Sequence, residues 1–341
     1  MSLDRRFFGI VPHTTQALAD AIGASVRGNA QVAVTGAAPV AEANSGELTF
    51  LNDNIGGDGV QAGGYPDADA IIITTAAVAD NMPENGTYLI VDVPRLRFAK
   101  AIALLVPDTS PGIVAPAADR LCDFADVSVG PGVMCGVGVK IGAGSRIEAG
   151  AVIHRGVSIG RNCQIGANVV LSNAIVGDDV VIQPNAVIGS AGFGFEITTE
   201  GPVALPHVGS VVIGDGVLIG AGSCIDRGTL GPTLIGDRAM LDNLVHIAHN
   251  CVIGSHAILT AQVGLAGGAI IGEGAMLGGQ AGVGPATRVG KGAIVMAQSG
   301  VTKDVEDEVT VAGFPASDAR KMWQERALLR RLLAQSGRKE D

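Results

Sequence analysis

Aromatic side chains make up only 3% of this chain of 341 residues, so its interior has to be filled with small aliphatics. Basic charge is also short, with 23 Lys and Arg against 33 Asp and Glu; the net charge of −10 argues against a nucleic-acid binder. Long apolar runs are missing. A hydrophobic fraction of 47% and a mean hydropathy of +0.38 suggest a membrane protein at first sight. Gly or a polar residue nevertheless interrupts the apolar positions every few residues, and no run of ~18 exists to span a bilayer. The opening MSLDRRFF lacks both an apolar signal core and a small-residue cleavage site, which gives the expectation of a protein that stays in the cytoplasm. The five cysteines (Cys122, Cys135, Cys163, Cys224 and Cys251) form no CxxC pair and read as buried thiols in a reducing compartment. P-loop and HExxH motifs are absent.

What the chain does have is 50 glycines and a period of six. Ile235, Leu241, Ile247, Ile253, Leu259, Leu265, Ile271, Leu277, Val283, Val289, Val295 and Val301 follow one another at six-residue steps. Neither an α-helix nor an alternating strand has that period. A coil with three short flat sides does, each side turning one aliphatic inward, so that three such steps complete a turn. The same step starts at Val129 and runs through Cys135, Ile141, Ile147, Ile153, Ile159, Ile165 and Leu171. It slips by one residue to Val176, Ile182 and Ile188, breaks over 189–210, resumes at Ile213, Ile219 and Ile225, and breaks again over 227–233. These 26 inward positions amount to between eight and nine coils. At ~4.8 Å between stacked strands, the prism would be about 40 Å long.

Residues 1 to 110 lack the pattern. Apolar runs at Ala70–Ile73 and Tyr88–Val91 read as strands, and Leu18–Ile22 and Arg95–Leu105 as helices, giving a small α/β domain followed by a Pro-containing linker. Residues 111–312 form the solenoid, and 313–341 a C-terminal segment whose residues 317–335 carry Met322, Leu328, Leu329, Leu332 and Leu333 along one side of a helix. That tail is basic. Residues 318–341 hold seven Arg and Lys against four Asp and Glu, a surface for an acidic partner. The flat sides of such a solenoid suit packing about a threefold axis, with the loops that break the repeat covering the clefts between subunits.

Among six histidines, His246 and His249 stand out in Asp242-Asn243-Leu244-Val245-His246-Ile247-Ala248-His249-Asn250. The inward slots belong to Leu241, Ile247 and Ile253, so both imidazoles project from the prism near a corner. They fit a solvated surface pair or a general base, since a neutral imidazole near pH 7 can take a proton from an attacking amine or hydroxyl. Their spacing does not fit the three-histidine zinc sites of hexapeptide carbonic anhydrases, so no metal is expected. Gly267 lies three six-residue steps beyond His249, stacked beside it one coil along, where its backbone N–H can serve an oxyanion. Asp242 could orient an imidazole or cap a turn.

The segments Ile225-Asp226-Arg227-Gly228-Thr229-Leu230, Asp242-Asn243 through Asn250, Gly189–Phe195 and Gly278-Gly279-Gln280 resemble those of the UDP-3-O-acylglucosamine N-acyltransferases of lipid A synthesis. The hexapeptide pattern alone is shared by many acyltransferases, whereas the Asp-Arg-Gly segment combined with His-Ile-Ala-His-Asn is specific. The resemblance spans essentially the whole chain. It implies a mainly β fold: a left-handed parallel β-helix, with a small N-terminal α/β domain that binds the uridine nucleotide and a C-terminal helix. The hand rests on the resemblance alone, because the general rule favours right-handed crossovers.

The resemblance further implies a homotrimer that transfers a 3-hydroxyacyl chain from acyl carrier protein to the 2-amino group of a UDP-3-O-acylglucosamine. The enzyme would hold no bound cofactor, since phosphopantetheine arrives on the donor. It would act in the cytoplasm, peripherally at the inner membrane. His249 falls on the base, Gly267 on the oxyanion donor, and Phe50 on the aromatic that stacks on uracil, with Asp242, Asn243 and His246 as further substrate contacts.

Two departures stand out. Relatives carry a second histidine after Gly-Gly-Gln where this chain has Ala286, leaving that role vacant or to another group such as His246. Relatives also carry Asn-Pro-Lys-Tyr after the uracil aromatic, where this chain has Asp53-Asn54-Ile55-Gly56. The alternatives are the sister O-acyltransferase, which begins directly with the repeat, a coenzyme A-dependent N-acetyltransferase, and a non-catalytic solenoid. The last would show a regular polar ladder rather than Asp, Asn and His gathered on one coil. Met276, Leu277 and Met296 are candidates for closing the acyl pocket.

Overall fold

The structure, a computed structural model, describes residues 3–52, 69–117, 126–313 and 319–336. Its N-terminal part is a five-stranded sheet in the order Ser25–Arg27, Thr87–Ile90, Ile71–Thr74, Glu47–Phe50, Gly36–Ala37, parallel except for the first pair. Helix α1 (Thr15–Ile22) starts where the Thr14 hydroxyl accepts the Ala17 N–H at 3.1 Å and ends at Gly23, whose φ of 71° completes a left-handed cap. A single turn, α2 (Ala76–Ala79), follows the strand Ile71–Thr74, and α3 (Pro94–Leu105) opens with proline, which needs no N–H partner in the first turn. Leu18 and Ile22 of α1 and Phe98, Ile102 and Leu105 of α3 are buried in one cluster with Ile71, Ile73 and Leu89 of the sheet.

That cluster continues without a gap through Phe7, Phe8, Ala117 and Val133 into the solenoid. The coils are built from three sheets of ten, eight and ten strands, parallel but for one added edge strand, and mostly two residues long. Register repeats at every third six-residue step: Leu241 pairs with Leu259, Leu259 with Leu277, and Leu277 with Val295. Inward residues are almost sealed, and the backbone pairs from coil to coil, as where the N–H groups of Gly236, Gly254 and Gly272 reach Ile253, Ile271 and Val289 at 2.7–2.8 Å. Each corner needs a left-handed residue. Early corners use glycine and later ones Asn162, Asn168, Asn185 and Asn250, all with φ between 56° and 62°; asparagine is among the few other residues that visit this region readily.

The slip before Val176 shortens one coil by a residue without breaking register, since Ser158 pairs with Ile175 and Ile159 with Val176. The solenoid strand runs on to Ala191, paired there with Arg227; the chain then leaves the prism until Val211 and carries a hairpin of Phe195–Thr198 and Gly201–Ala204. At the first edge Ala115–Pro116 adds an antiparallel strand on Met134–Cys135, covering groups that would otherwise stand open. At the far end the coils continue past Val301: Val305 is buried beside Val289, and Thr310–Val311 pairs with Ile294–Val295. The six-residue step misses this last turn because Val305 follows Val301 by four residues. Helix α4 (Ala319–Ser336) follows, with Trp323, Leu328, Leu329 and Leu332 more than half exposed. No helix among the described residues is long and apolar enough to cross a membrane.

Candidate active site

His246 stands outward in the middle of one face, on the strand His246–Ile247, and His249 turns out three residues later at the corner. Asn250, at φ 60°, makes that corner and orients the ring: its Oδ1 lies 3.1 Å from His249 Nδ1 and also accepts the Thr229 N–H at 2.9 Å. An atom that accepts from a backbone N–H is the amide oxygen, so His249 Nδ1 carries the proton and Nε2 is a bare base. The Asn250 N–H donates to Thr233 Oγ1 at 2.9 Å, and that hydroxyl donates to the Asp226 carbonyl at 2.7 Å. The Asp-Arg-Gly-Thr segment therefore buttresses the corner on which His249 sits, a physical reason for the two motifs to occur together.

The imidazole lies over Gly267. A Cβ there would come within 2.7 Å of both Nε2 and Cε1 of His249, so any side chain would push the base away. In several other coils the corresponding corner N–H is capped by a side chain one coil on. Arg161 donates to Asp178, Asp178 to Asp215, Asp215 to Asp237 and Ala221 to Asn243, at 2.7–3.0 Å. One coil beyond Gly267 the residue is Pro285, with no side-chain acceptor, and the Gly267 N–H donates to no partner among the described residues. A free N–H and a bare imidazole nitrogen thus face the same space.

From that point an apolar groove of about 580 Å³ runs along the face. Its floor is His246, Gly264, Gly282 and Gly300, which pair with one another in successive coils, so beyond His246 the column has no side chains. Leu265, Val283 and Val301 line it, and Phe193, 84% exposed, overhangs it from the insertion.

Two buried polar residues at the site have no role assigned from the sequence. His207, at 2% exposure, stands 4.9 Å from the His249 ring, centroid to centroid and inclined by 63°. It comes from the irregular insertion, which shows no pattern from which to place it. Arg227, 5% exposed, donates from Nε to the His207 carbonyl at 2.8 Å and from Nη1 to the Gly189 carbonyl at 3.0 Å, and it lies over the Phe8 ring. Burial holds Arg227 down to about 10 and His207 down to about 4, the latter helped by the nearby His249 and Arg227. Burial also raises the Asp226 carboxyl, against the pull of His246 and His249.

The other residues singled out in the sequence are dispersed. Asp242 takes the N–H groups of Asn243 and Ala261 at 2.7 and 3.1 Å, and Asn243 that of Ala221; both cap a different corner and neither bonds to His249. Phe50 ends its strand in the N-terminal sheet, half-buried, 4.8 Å from Phe98, and does not line the groove. Asp53-Asn54-Ile55-Gly56 lies outside the described residues. Ala286 forms a corner, donating its N–H to the Gly267 carbonyl. Met276 and Met296 point away from another face, and Leu277 points inward, so none of the three closes this groove. The reason is the coil itself: only residues at the matching place in each turn share a face. Among the described residues no three His, Cys, Asp or Glu side chains are grouped to hold a metal ion.

Comparison with known proteins agrees with this geometry. The bacterial transferase hexapeptide (six repeats) family matches residues 138–173, 156–190 and 232–267, and the hexapeptide repeat of succinyl-transferase matches 210–243 and 268–303. A solved UDP-N-acetylglucosamine acyltransferase from Campylobacter jejuni superposes with a TM-score of 0.50 at 25% identity, over 56% of this chain and 73% of that one. The UDP-3-O-acylglucosamine N-acyltransferase of Xanthomonas axonopodis pv. citri is 44% identical over 70% of this chain and 71% of its own. That of Granulibacter bethesdensis is 45% identical over 72% of this chain and 73% of its own. Identity at that level over most of both chains makes this protein an acyltransferase of the UDP-3-O-acylglucosamine N-acyltransferase family.

Proposed function

We propose that the enzyme moves a 3-hydroxyacyl chain from acyl carrier protein to the 2-amino group of UDP-3-O-acylglucosamine, with His249 as base. The observation that carries this reading is the bare Nε2 of His249 set against the unpartnered Gly267 N–H at the head of an apolar groove. The amine nitrogen attacks the thioester carbon, and the carbonyl π pair moves to oxygen, where the Gly267 N–H meets it. His249 Nε2 takes the proton the amine sheds. The carbonyl then re-forms, the C–S pair leaves on the pantetheine sulfur, and the imidazolium returns its proton there, giving an amide and a free thiol. The protein supplies base, donor and groove, while phosphopantetheine comes and goes with its carrier.

The acyl chain lies along Gly264, Gly282 and Gly300, where the floor leaves room for it. Phe50 stacks on uracil and reaches this groove from a neighbouring copy in a trimer, which accounts for its distance from its own His249. The outward columns Met240, Ile258, Met276 and Ile294 on one side and Val252 and Ile270 on another are apolar surfaces of the kind a trimer covers. Helix α4, basic and with exposed leucines, receives the acidic carrier protein, in a reaction on the cytosolic side.

The test is product mass spectrometry with UDP-3-O-acylglucosamine and 3-hydroxyacyl-acyl carrier protein, with acyl-coenzyme A as competing donor. An N-acylated product is expected, with a rate loss of about 10²–10⁴ in His249→Ala. A product formed by an unimpaired His249→Ala enzyme removes the mechanism. No product from well-folded wild type, with turnover of a UDP-sugar hydroxyl instead, removes the reaction itself.

A further inference from the structure

The Nε2 atom of His207 has no hydrogen-bond partner although it is buried. The ring's other nitrogen lies 3.0 Å from the Leu205 carbonyl, which can only accept, so Nδ1 holds the proton and Nε2 presents a lone pair. Around that lone pair the chain is pared to backbone. A Cβ on Gly192 would fall 2.9 Å from His207 Nε2 and within 3.0 Å of Cβ and Cδ2 of His249; one on Gly194 would fall 2.8 Å from His207 Cε1. The two imidazoles and the Gly192-Phe193-Gly194 strip are therefore fitted to one another. A leucine or phenylalanine would fill the same space with no buried acceptor left unpaired, so packing alone does not account for a histidine here.

We propose that His207 is a positioning residue for His249: its neutral ring holds the base over Gly267, and its bare Nε2 favours the imidazolium that forms there during turnover. The inference rests on the assignment of His249 as base. The charges around the pair agree in sign. Burial, His249, Arg227 and Arg95 all resist a positive charge on His207, so its ring stays neutral beside the base. Arg95 is itself paired with Glu196 at 3.6 Å. Asp226 interacts electrostatically with both His249 and His246, and its carboxylate adds to the stabilisation of a cation on His249. Because Asn250, a neutral amide, is the group that orients His249 Nδ1, no carboxylate is hydrogen-bonded to the base itself.

The test has one arm on the wild-type protein and one on variants. In wild type, imidazole NMR is expected to show His207 as the Nδ1-protonated tautomer, still neutral at pH 5 while His249 titrates. A His207 protonated on Nε2, or titrating together with His249, overturns the proposal without any substrate being present. Among variants, His207→Leu keeps bulk and removes the acceptor, while His207→Gln keeps an acceptor. The Leu variant is expected to lower kcat/KM about 10–10²-fold and to move the acid limb of its pH profile and the His249 resonance to lower pH. The Gln variant is expected to restore part of both. An acid limb and a His249 titration unmoved in both variants, even with lower activity, reduces His207 to packing. Absence of product from wild type would instead count against the reaction proposed above, while the NMR arm still decides on His207.

Discussion

Replacing Gly282 with Ile tests where the acyl chain runs. A Cβ at Gly282 meets nothing within 4 Å, and the backbone there is not in the left-handed region, so a larger side chain adds neither a clash nor strain. It stands instead in the groove, between Gly264 and Gly300. At ~4.8 Å per coil, the floor beyond this point carries roughly 5–10 Å of chain, or on the order of four methylenes. Each buried methylene contributes about 0.8 kcal/mol, so blocking them removes about 3 kcal/mol, or roughly 10²-fold in kcat/KM. The loss falls on long donors only. A series of acyl-acyl carrier proteins of increasing length, assayed singly and in competition, should show unchanged turnover of short chains and a steep decline for long ones. Folding should not suffer, since exchanging glycine for a β-branched residue in a strand favours the folded chain by about 0.5–1 kcal/mol. An equal loss for every donor, or no loss for any, would refute the path.

Asn250→Ala removes the acceptor shared by His249 Nδ1 and the Thr229 N–H; kcat should fall about 10²-fold, with stability lower by about 1–3 kcal/mol, read by single-turnover kinetics and urea denaturation. His207 also makes stability depend on pH. The folded protein keeps this ring neutral down to about 4, whereas the unfolded chain protonates it near the usual 6.5. The stabilisation is complete above pH 6.5 and is lost as pH falls to 4, by roughly 3 kcal/mol. Denaturation midpoints from pH 7 to 4 should therefore decline less in His207→Leu than in wild type, and equal declines would sink the argument. Gln262, Gln280 and Gln298 form a ladder of side-chain hydrogen bonds at 2.7 Å across three coils. Gln280→Ala breaks both rungs and should lower stability by about 1–2 kcal/mol while leaving kcat unchanged.

The adjacency of His249 and Gly267 was readable by counting, because three steps of the repeat return the chain to the same side of the coil. The glycine column 264, 282, 300 follows from the same count, as each glycine precedes an inward aliphatic by one residue. The last turn was not readable, since Val305 leaves the six-residue step. Asp242 shows the limit in another way: its spacing from His249 is compatible with a contact, but the two occupy different corners of one coil, and the carboxylate spends its bonds on backbone N–H groups there. His207 was not legible at all, and Arg227 was visible only as part of a resembling segment, with no role attached. His207 meets His249 through an insertion whose path obeys no period, and Arg227 holds His207 from a corner loop.

The period of six determines the architecture from sequence because a narrow coil has one inward slot per side, and an aliphatic in every slot leaves a single way to bury them. Function at the corner depends on features without a period: which amide oxygen faces His249, which N–H lacks a cap because Pro285 follows it, and which ring the insertion brings alongside. Those are set by the three-dimensional path of backbone hydrogen bonds, and one-dimensional spacing carries no record of them.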